Sequence, residues 1–373
     1  MSFPAFSPAR CQINLGAIRR NFHRIGSPES LMPVIKSDAY GHGLLEVAAT
    51  LDGAGARRFA VGLAEEGKFL RERGFRQEIV ALMGCLSPED WQIARAYRLT
   101  PLVGSFADLD MAAAVADSPQ GICIKCDTGM SRLGFGLGEA GELLERLRRA
   151  ANLRPDMLLS HYACADMPEK VEYTGWQTRV FYEFYGALKA EFPEVLPSLG
   201  NSAASLRPRA MDREIYRPGF VLYGGNPFYG TEREEWGSDL EQAMSLGAPV
   251  AATRPLAPGQ SVSYGCLFTA RKAMRAAIIA CGYSQGYPRS LSNKADVMIG
   301  GRRARQLGRV CMGMCIADIS DAPDTRPGDT AWLTGGADAG GVTLQELADI
   351  AGTIPYELMC DFGAMNPRVY IDE

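Results

Sequence analysis

EIVALMGCLSPEDWQIARAYRLTPLVG, residues 78–104, reads as a complete strand, helix and strand. EIVALMG (78–84) is an apolar run of strand length. Ser87 then offers a helix cap, Pro88 sits in the first turn, and Trp91, Ile93, Ala94 and Tyr97 fall near helical spacing. TPLVG (100–104) is the next strand. The same alternation runs from residue 31 to about residue 223, with further strand candidates MPVIK (32–36), FAVGL (59–63), GICIKCD (121–127), DMLLSHY (156–162), VLPSLG (195–200) and EIYRPG (214–219). GEAGELLERLRRA (138–150) and VEYTGWQTRVFYEFYGALKAEF (171–192) read as helices, and FVLYGG (220–225) as a short final helix or turn. Eight strands, each followed by a helix or helical turn, predict an α/β fold built as a parallel (β/α)8 barrel. A doubly wound open sheet would normally carry G-x-G-x-x-G after its first strand, and none stands there.

Residues 225–245 (GNPFYGTEREEWGSDLEQAMS) are polar and glycine-containing, as a crossing between domains would be. The pattern then changes. APVAATRPL, SVSYGCLFTA, RAAIIACGYS, ADVMIGGRRA, QLGRVCMGMCIADIS and DTAWLT are strand-like runs separated by turn residues. One convincing helix follows, TLQELADIAG (343–352), opened by a capping box of Thr343 and Glu346. TGGADAGG (334–341) lacks the G-K-[ST] of a phosphate loop and reads as a turn. Two domains are expected, 1–235 and a mostly β 236–373, with the chain's first residues, up to Gln12, packed on the second.

Hydrophobic residues are 47% and charged residues 22%, which excludes wholesale disorder. A net charge of −4 gives no bulk basic field, so neither nucleic acid nor an anionic membrane is expected as a partner. No apolar run approaches the ~18 residues of a membrane span. The three histidines, His23, His42 and His161, are far apart and form no H-E-x-x-H, so no metal is expected. Ten cysteines with no framework of short loops read as reduced thiols. MSFPAFSPARCQINL shows no basic region followed by an apolar stretch, hence no signal peptide is read and a cytoplasmic location is expected.

In a parallel barrel, function gathers where strands end and the following loops begin. Lys36, Lys125 with Asp127, His161, Asn201 with Ser202, and Arg217 all stand at or just past such ends. The loops after strands seven and eight form the usual phosphate cradle of this fold. Here they are LGNSAAS (199–205) and RPGFVLYG (217–224), which offer a hydroxyl, small residues and backbone N–H groups. A lysine ending the first strand inside an apolar run is placed to lose its proton and form a Schiff base. Phosphate plus Schiff base points to pyridoxal phosphate, with Arg217 beside the cradle as partner to the pyridine nitrogen. Each residue also has a plain reading. Lys36 could be a solvated strand-end lysine, His161 a core histidine, Arg217 a rim salt bridge, and Lys125 a partner of Asp127.

PVIKSDAYGHG (33–43) resembles the cofactor-lysine motif of the alanine racemase family, pyridoxal-phosphate enzymes with an N-terminal barrel and a β-rich C-terminal domain. The resemblance continues in order through KCDTGMSRLGF (125–135), SHYACAD (160–166), GNSAAS (200–205), YRPGFVLYG (216–224), SVSYGCLF (261–268), GYSQGYPR (282–289) and GRVCMGM (308–314). It implies that Lys36 holds the cofactor and acts as one base. Tyr264 is then the second base, donated by the other subunit of a homodimer with shared active sites. Arg217 would face the pyridine nitrogen, and His161 would hydrogen-bond around Tyr264 and Arg217. Tyr40, Ser202 and the backbones of Gly219 and Phe220 would hold the phosphate, and Asn201 would also bind the cofactor. Arg132 and the Met312 backbone would bind the carboxylate of a small amino-acid substrate. Lys125 matches a position often carbamylated, and Asp166, Tyr283, Arg289 and Arg309 match residues lining the substrate channel. Racemisation needs a proton removed from one face of Cα and delivered to the other, so two flanking groups are required. A tyrosine phenol titrates near ~10, so cations must lower it before it can serve as a base.

The chain departs from the family's pattern at three places. Gly313 stands where an aspartate usually follows Met312, and Gly16 where an acidic residue is common. In CDFGAMNPR (360–368), Gly363 and Ala364 occupy positions that usually hold a hydroxyl residue and a tyrosine. Loss of that tyrosine predicts a wider pocket and tolerance of serine or another small polar amino acid. A barrel-type decarboxylase and a non-catalytic cofactor-binding protein are the alternatives. SVSYG and YRPGF speak against the first, and the long β domain against the second.

Overall fold

The computed structural model describes residues 6–207, 213–336 and 340–373. The chain divides into two compact units. One comprises residues 19–37 and 45–240, the other residues 1–18, 38–44 and 241–373.

The first unit is built on the eight predicted strand positions. Arg58–Val61, Glu78–Ala81, Thr100–Val103, Gln120–Lys125, Leu153–Leu159 and Leu196–Ser198 lie side by side in chain order, all parallel. Residues 31–35 join the open edge of Arg58–Val61, with Ile35 N–H donating to the Ala60 carbonyl at 2.9 Å. At the other edge, Ile215 N–H donates to Pro197 O at 2.9 Å. Met32 N–H then donates to Tyr216 O at 2.8 Å, which closes the ring. Val103, Ile122, Ile124 and Leu158 are fully buried, as strands covered on both faces must be. They pack with Trp91, Phe135, Leu143, Phe181 and Phe184 from the surrounding helices and loops. Each such side chain contributes about 1.5–3 kcal/mol by leaving water.

The helix Pro88–Ala96 starts as expected. Ser87 Oγ accepts from Asp90 N–H at 3.2 Å, and the Asp90 carboxylate accepts from Ser87 N–H at 3.0 Å. This reciprocal cap satisfies two donors that the helix cannot use itself. Helices Ala140–Arg149 and Val171–Glu191 also occupy their predicted stretches.

The second unit is mostly β. Its sheet runs Arg302–Arg305, Asp296–Ile299, Thr330–Thr334, Met244–Leu256, Arg10–Asn14 and Arg368–Ile371. Met274–Ile279 pairs with the far half of Met244–Leu256, and Cys315–Asp318 pairs in turn with Met274–Ile279. Arg10–Asn14 lies between Met244–Leu256 and Arg368–Ile371, so a strand from the start of the chain is interior to this sheet. Three expectations need correction. The run SVSYGCLFTA is not a continuous strand: two short strands, Ser261–Val262 and Phe268–Thr269, flank a helical turn at Tyr264–Cys266. A second helix, Pro355–Met365, follows Leu344–Ala351. The capping box at Thr343 is half formed. Thr343 accepts from Glu346 N–H at 3.0 Å, while the Glu346 carboxylate pairs with Arg303 at 2.7 and 2.9 Å.

Of TGGADAGG, residues 337–339 lie outside the described residues, and the flanks are bridged by Gly335 N–H donating to Val342 O at 2.8 Å. Among the described residues, no helix is long and apolar enough to cross a membrane.

Candidate active site

In the first unit, Lys36 follows directly on the first barrel strand and is half-buried. Gly62, past the second strand, lies against it: a Cβ there would stand 3.4 Å from the Lys36 Cβ. After Lys36 the backbone reverses its hand. Ser37, Asp38, Ala39 and Tyr40 have φ of 54°, 55°, 54° and 55°, and Gly41 has 80°. Left-handed backbone costs roughly 1–2 kcal/mol per non-glycine residue, so four in a row need outside support. Part of it comes from Glu66, a residue the sequence reading passed over. Its carboxylate accepts from Ser37 N–H and Gly62 N–H, both at 2.7 Å.

Arg217 is buried in the mouth of the barrel. Its Nη1 donates to the Ser198 carbonyl at 2.8 Å and the Ser198 hydroxyl at 2.6 Å. Its Nη2 donates to the carbonyls of Ser160 and Leu199 at 2.5 and 3.3 Å and faces His161 Nδ1 at 3.3 Å. These partners are neutral, so Arg217 is no rim salt bridge. Burial brings its pKa down to about 10, which leaves it cationic at neutral pH. His161 is pushed well below the ordinary histidine range, by burial first and then by Arg217, Lys125, Arg132 and Lys36. It is therefore neutral, and its Nδ1 accepts from the guanidinium. Gln177, fully buried on Val171–Glu191, holds the loop by accepting from Ala163 N–H at 3.0 Å and donating to His161 O at 3.2 Å.

Lys125 is buried at the end of its strand, and burial, then Arg217, lowers its pKa to about 7. Asp127 is occupied with the Gly129 and Ser131 N–H groups, at 2.9 and 3.1 Å. The loop carrying Arg132 folds back on this strand through a bridge between Cys126 and Phe135. Gly134 makes that possible: at φ 120°, a Cβ would meet Asp127 N at 2.7 Å and Lys125 Cγ at 2.9 Å. Cys123 and Cys126 stand three apart here, a C-x-x-C spacing, but both are buried. Burial pushes each thiol up to about 12, so neither is reactive.

At the expected cradle, Ser202 Oγ accepts from Gly219 N–H at 3.0 Å, which joins the two loops. Asn201 caps the short helix Ser202–Ser205 by accepting from Ala204 N–H at 3.2 Å. Phe220 is buried in the turn that follows. Glu214, also passed over, is buried and accepts from Leu199 and Gly200 N–H at 3.2 and 2.8 Å, which fixes the first loop. Asp166 is exposed, past the cluster. Lys36, Arg132 and Arg217, with the half-charged Lys125, thus surround one neutral histidine. That donor set suits an anionic ligand, and a strand-end lysine beside it suits an aldehyde, so the residues fit pyridoxal phosphate.

The second unit carries the remaining predicted residues. Tyr40 is half-buried, with its ring 5.9 Å from that of Tyr356. Burial, then Tyr356 and Cys360, push its phenol up, so it keeps its proton and can donate. Tyr264 is 72% exposed in its turn, next to Ser263 at φ 63° and Gly265 at φ 68°. Ser263 Oγ donates to the Arg309 carbonyl at 2.7 Å, which ties that turn to Arg309. The Met312 carbonyl accepts from Ser284 N–H at 2.8 Å, and Tyr283 N–H donates to Cys311 O at 3.2 Å. Tyr264, Arg309, Met312 and Tyr283 therefore share one neighbourhood, and Arg289 begins a short turn beyond it.

Residues 13–227 match the model of the alanine racemase N-terminal domain, and residues 243–370 that of the alanine racemase C-terminal domain. The alanine racemase of Nitratidesulfovibrio vulgaris (strain Hildenborough) is 43% identical, over 99% of this chain and 98% of the relative. The crystal structure of biosynthetic alanine racemase from Pseudomonas aeruginosa is similar at a TM-score of 0.86 and 36% identity, covering 98% of this chain and 100% of that one. That of alanine racemase from D-cycloserine producing Streptomyces lavendulae has a TM-score of 0.89 at 29% identity, covering 98% of each chain.

Proposed function

The chain belongs to the alanine racemase family and is an isomerase that interconverts L- and D-alanine, and from that premise we propose that it works with pyridoxal phosphate in the cytoplasm, Lys36 and Tyr264 moving the proton. Pyridoxal phosphate, when bound, draws electrons from the substrate Cα and makes its proton removable at neutral pH. Lys36 Nζ serves one face of that carbon. Tyr264 Oη serves the other, supplied by the partner subunit of a homodimer.

Arg217 would face the pyridine nitrogen. A guanidinium does not readily give up a proton, so it leaves that nitrogen unprotonated and favours prompt return of the proton to Cα. His161, accepting from Arg217 at Nδ1, presents Nε2–H as a donor. Tyr40, Ser202 and the Gly219 and Phe220 backbones would hold the phosphate, and Asn201 would also bind the cofactor. Arg132 and the Met312 backbone take the substrate carboxylate. Lys125, as a carbamate, steadies Arg132. Asp166, Tyr283, Arg289 and Arg309 line the substrate channel.

The observation that supports this reading best is the Arg217 guanidinium, buried and held by neutral acceptors beside the strand-end Lys36. Lys36→Ala and Tyr264→Phe test it on the purified, cofactor-loaded protein. Both should abolish interconversion of alanine enantiomers, and only the first should lose the yellow colour of covalently held cofactor. A protein that binds cofactor yet is inert toward every amino acid overturns the proposal. A second reading, tolerance of serine, rests on Ala364, small and exposed where the family has a tyrosine. Strict alanine specificity in the same assay removes it.

A further inference from the structure

We propose that Glu66 is a positioning residue for Lys36, a role that rests on reading Lys36 as the cofactor lysine and adds to it. Glu66 is the third residue of the helix Ala64–Glu72, whose cap is Leu63. One carboxylate oxygen does ordinary capping work: Oε2 accepts from Gly62 N–H at 2.7 Å and from Leu63 N–H at 3.2 Å. The other leaves its own helix. Oε1 accepts at 2.7 Å from the N–H of Ser37, a residue on another strand end.

That N–H belongs to the peptide plane that leaves Lys36, so fixing it fixes the Lys36 carbonyl and Cα as well. It is also where the left-handed turn begins, at Ser37 φ 54°. A charge-assisted hydrogen bond, roughly twice as strong as a neutral one, therefore sits at the first residue of the left-handed turn, next to the cofactor lysine. Gly62 completes the bracket. A Cβ on it would stand 3.2 Å from Glu66 Oε2, a tight approach that would press on the carboxylate, and 3.4 Å from Lys36 Cβ, an ordinary contact, so glycine here leaves the carboxylate free to reach both strand ends. A base and cofactor anchor such as Lys36 would have to hold its Nζ in one place, and a displacement of about 1 Å in such a group costs about 100-fold in rate. Both oxygens of Glu66 are committed to N–H donors. Glutamine has one oxygen and an NH2 group, and whichever way it turns, NH2 faces an N–H. Glu66→Gln is thus not conservative at this position.

The test compares wild type, Glu66→Gln and, as a control on the same helix, Glu65→Gln, whose parent side chain is exposed. Melting temperature, affinity for pyridoxal phosphate, the fraction of bound cofactor trapped by borohydride, and kcat and KM for L-alanine are measured. Glu66→Gln should fold and bind cofactor, but lose about 10- to 100-fold in kcat and show reduced trapping at full occupancy, with KM changed little. Glu65→Gln should match wild type. Gly62→Ala, which crowds the same bracket without removing a charge, should move kcat and trapping in the same direction, so the proposal stays testable if Glu66→Gln does not fold. Wild-type kcat and trapping in Glu66→Gln overturn it, as does a loss that vanishes at saturating cofactor below the melting range. If wild type traps no cofactor, or Lys36→Ala traps as much, the reading of Lys36 itself fails.

Discussion

Lys125 shows how a single buried residue can be both a cost and a reagent. Its pKa near 7 arises from burial first and from Arg217 second, and neither influence exists in the unfolded chain. Between about pH 7 and the ordinary lysine value near ~10.4, the unfolded chain holds a proton there that the folded chain lacks. Stability therefore rises with pH across that window, and below it the full penalty is felt. Lys125→Met removes the penalty. In carbon-dioxide-free buffer the variant should melt above wild type at pH 7, and the gap should shrink toward pH 10; a gap independent of pH refutes the assignment. A lysine that is half neutral at pH 7 is also a nucleophile toward carbon dioxide. Labelled bicarbonate should accordingly give a carbamate carbon signal in wild type that Lys125→Arg lacks.

At the level of elements, the turn after Lys36 and the helix Pro355–Met365 depend on each other. Gly363 lies so close to Gly41 that a Cβ would meet the Gly41 carbonyl oxygen at 1.9 Å, and a Cβ on Gly41 would meet the Met359 oxygen at 2.3 Å. Arg368 adds hydrogen bonds to Asp38 and to the Gly41 carbonyl at 2.5 and 3.2 Å. Gly363→Ala must push the turn and Tyr40 with it. It should cost about 1–3 kcal/mol of stability and weaken pyridoxal phosphate binding in an absorbance titration; unchanged affinity would show that the turn does not pass its position on to the cofactor. This element was the least legible in the sequence. SDAY has no glycine, so nothing in it announces four left-handed residues. The helix does leave a trace, since Pro355, Leu358, Met359 and Phe362 fall at helical spacing, though Gly363 in its last turn is a poor helix former. The barrel strands were legible because each is a continuous apolar run between turn residues. Lys36, His161 and Arg217 were legible because they end such runs. Glu66, Gln177 and Glu214 were not, for they look like ordinary polar residues until distant backbone is folded against them.

At the level of the whole molecule, the question is what covers the exposed apolar side chains around the proposed chemistry. In the second unit Tyr264 and Met312 are 72% and 63% exposed, and Leu267, Tyr283 and Met314 are exposed beside them. In the first unit Leu63, Met83, Leu86, Leu133 and Met167 are exposed on loops that follow barrel strands, and Trp176 is exposed on the helix Val171–Glu191. Apolar surface gathered near functional loops marks a site of association, and a two-fold homodimer buries each patch twice. Sharing of active sites makes a sharper demand than dimerisation alone. If Tyr264 of one subunit serves Lys36 of the other, a dimer of one Lys36→Ala chain and one Tyr264→Phe chain holds one site with both groups intact. Random reassociation makes half of the dimers mixed, so two inactive variants, unfolded and refolded together, should recover about a quarter of wild-type activity. Variants refolded separately and then mixed without exchange should recover none. If the bases of each site come from one chain, the co-refolded mixture stays as inactive as its parts.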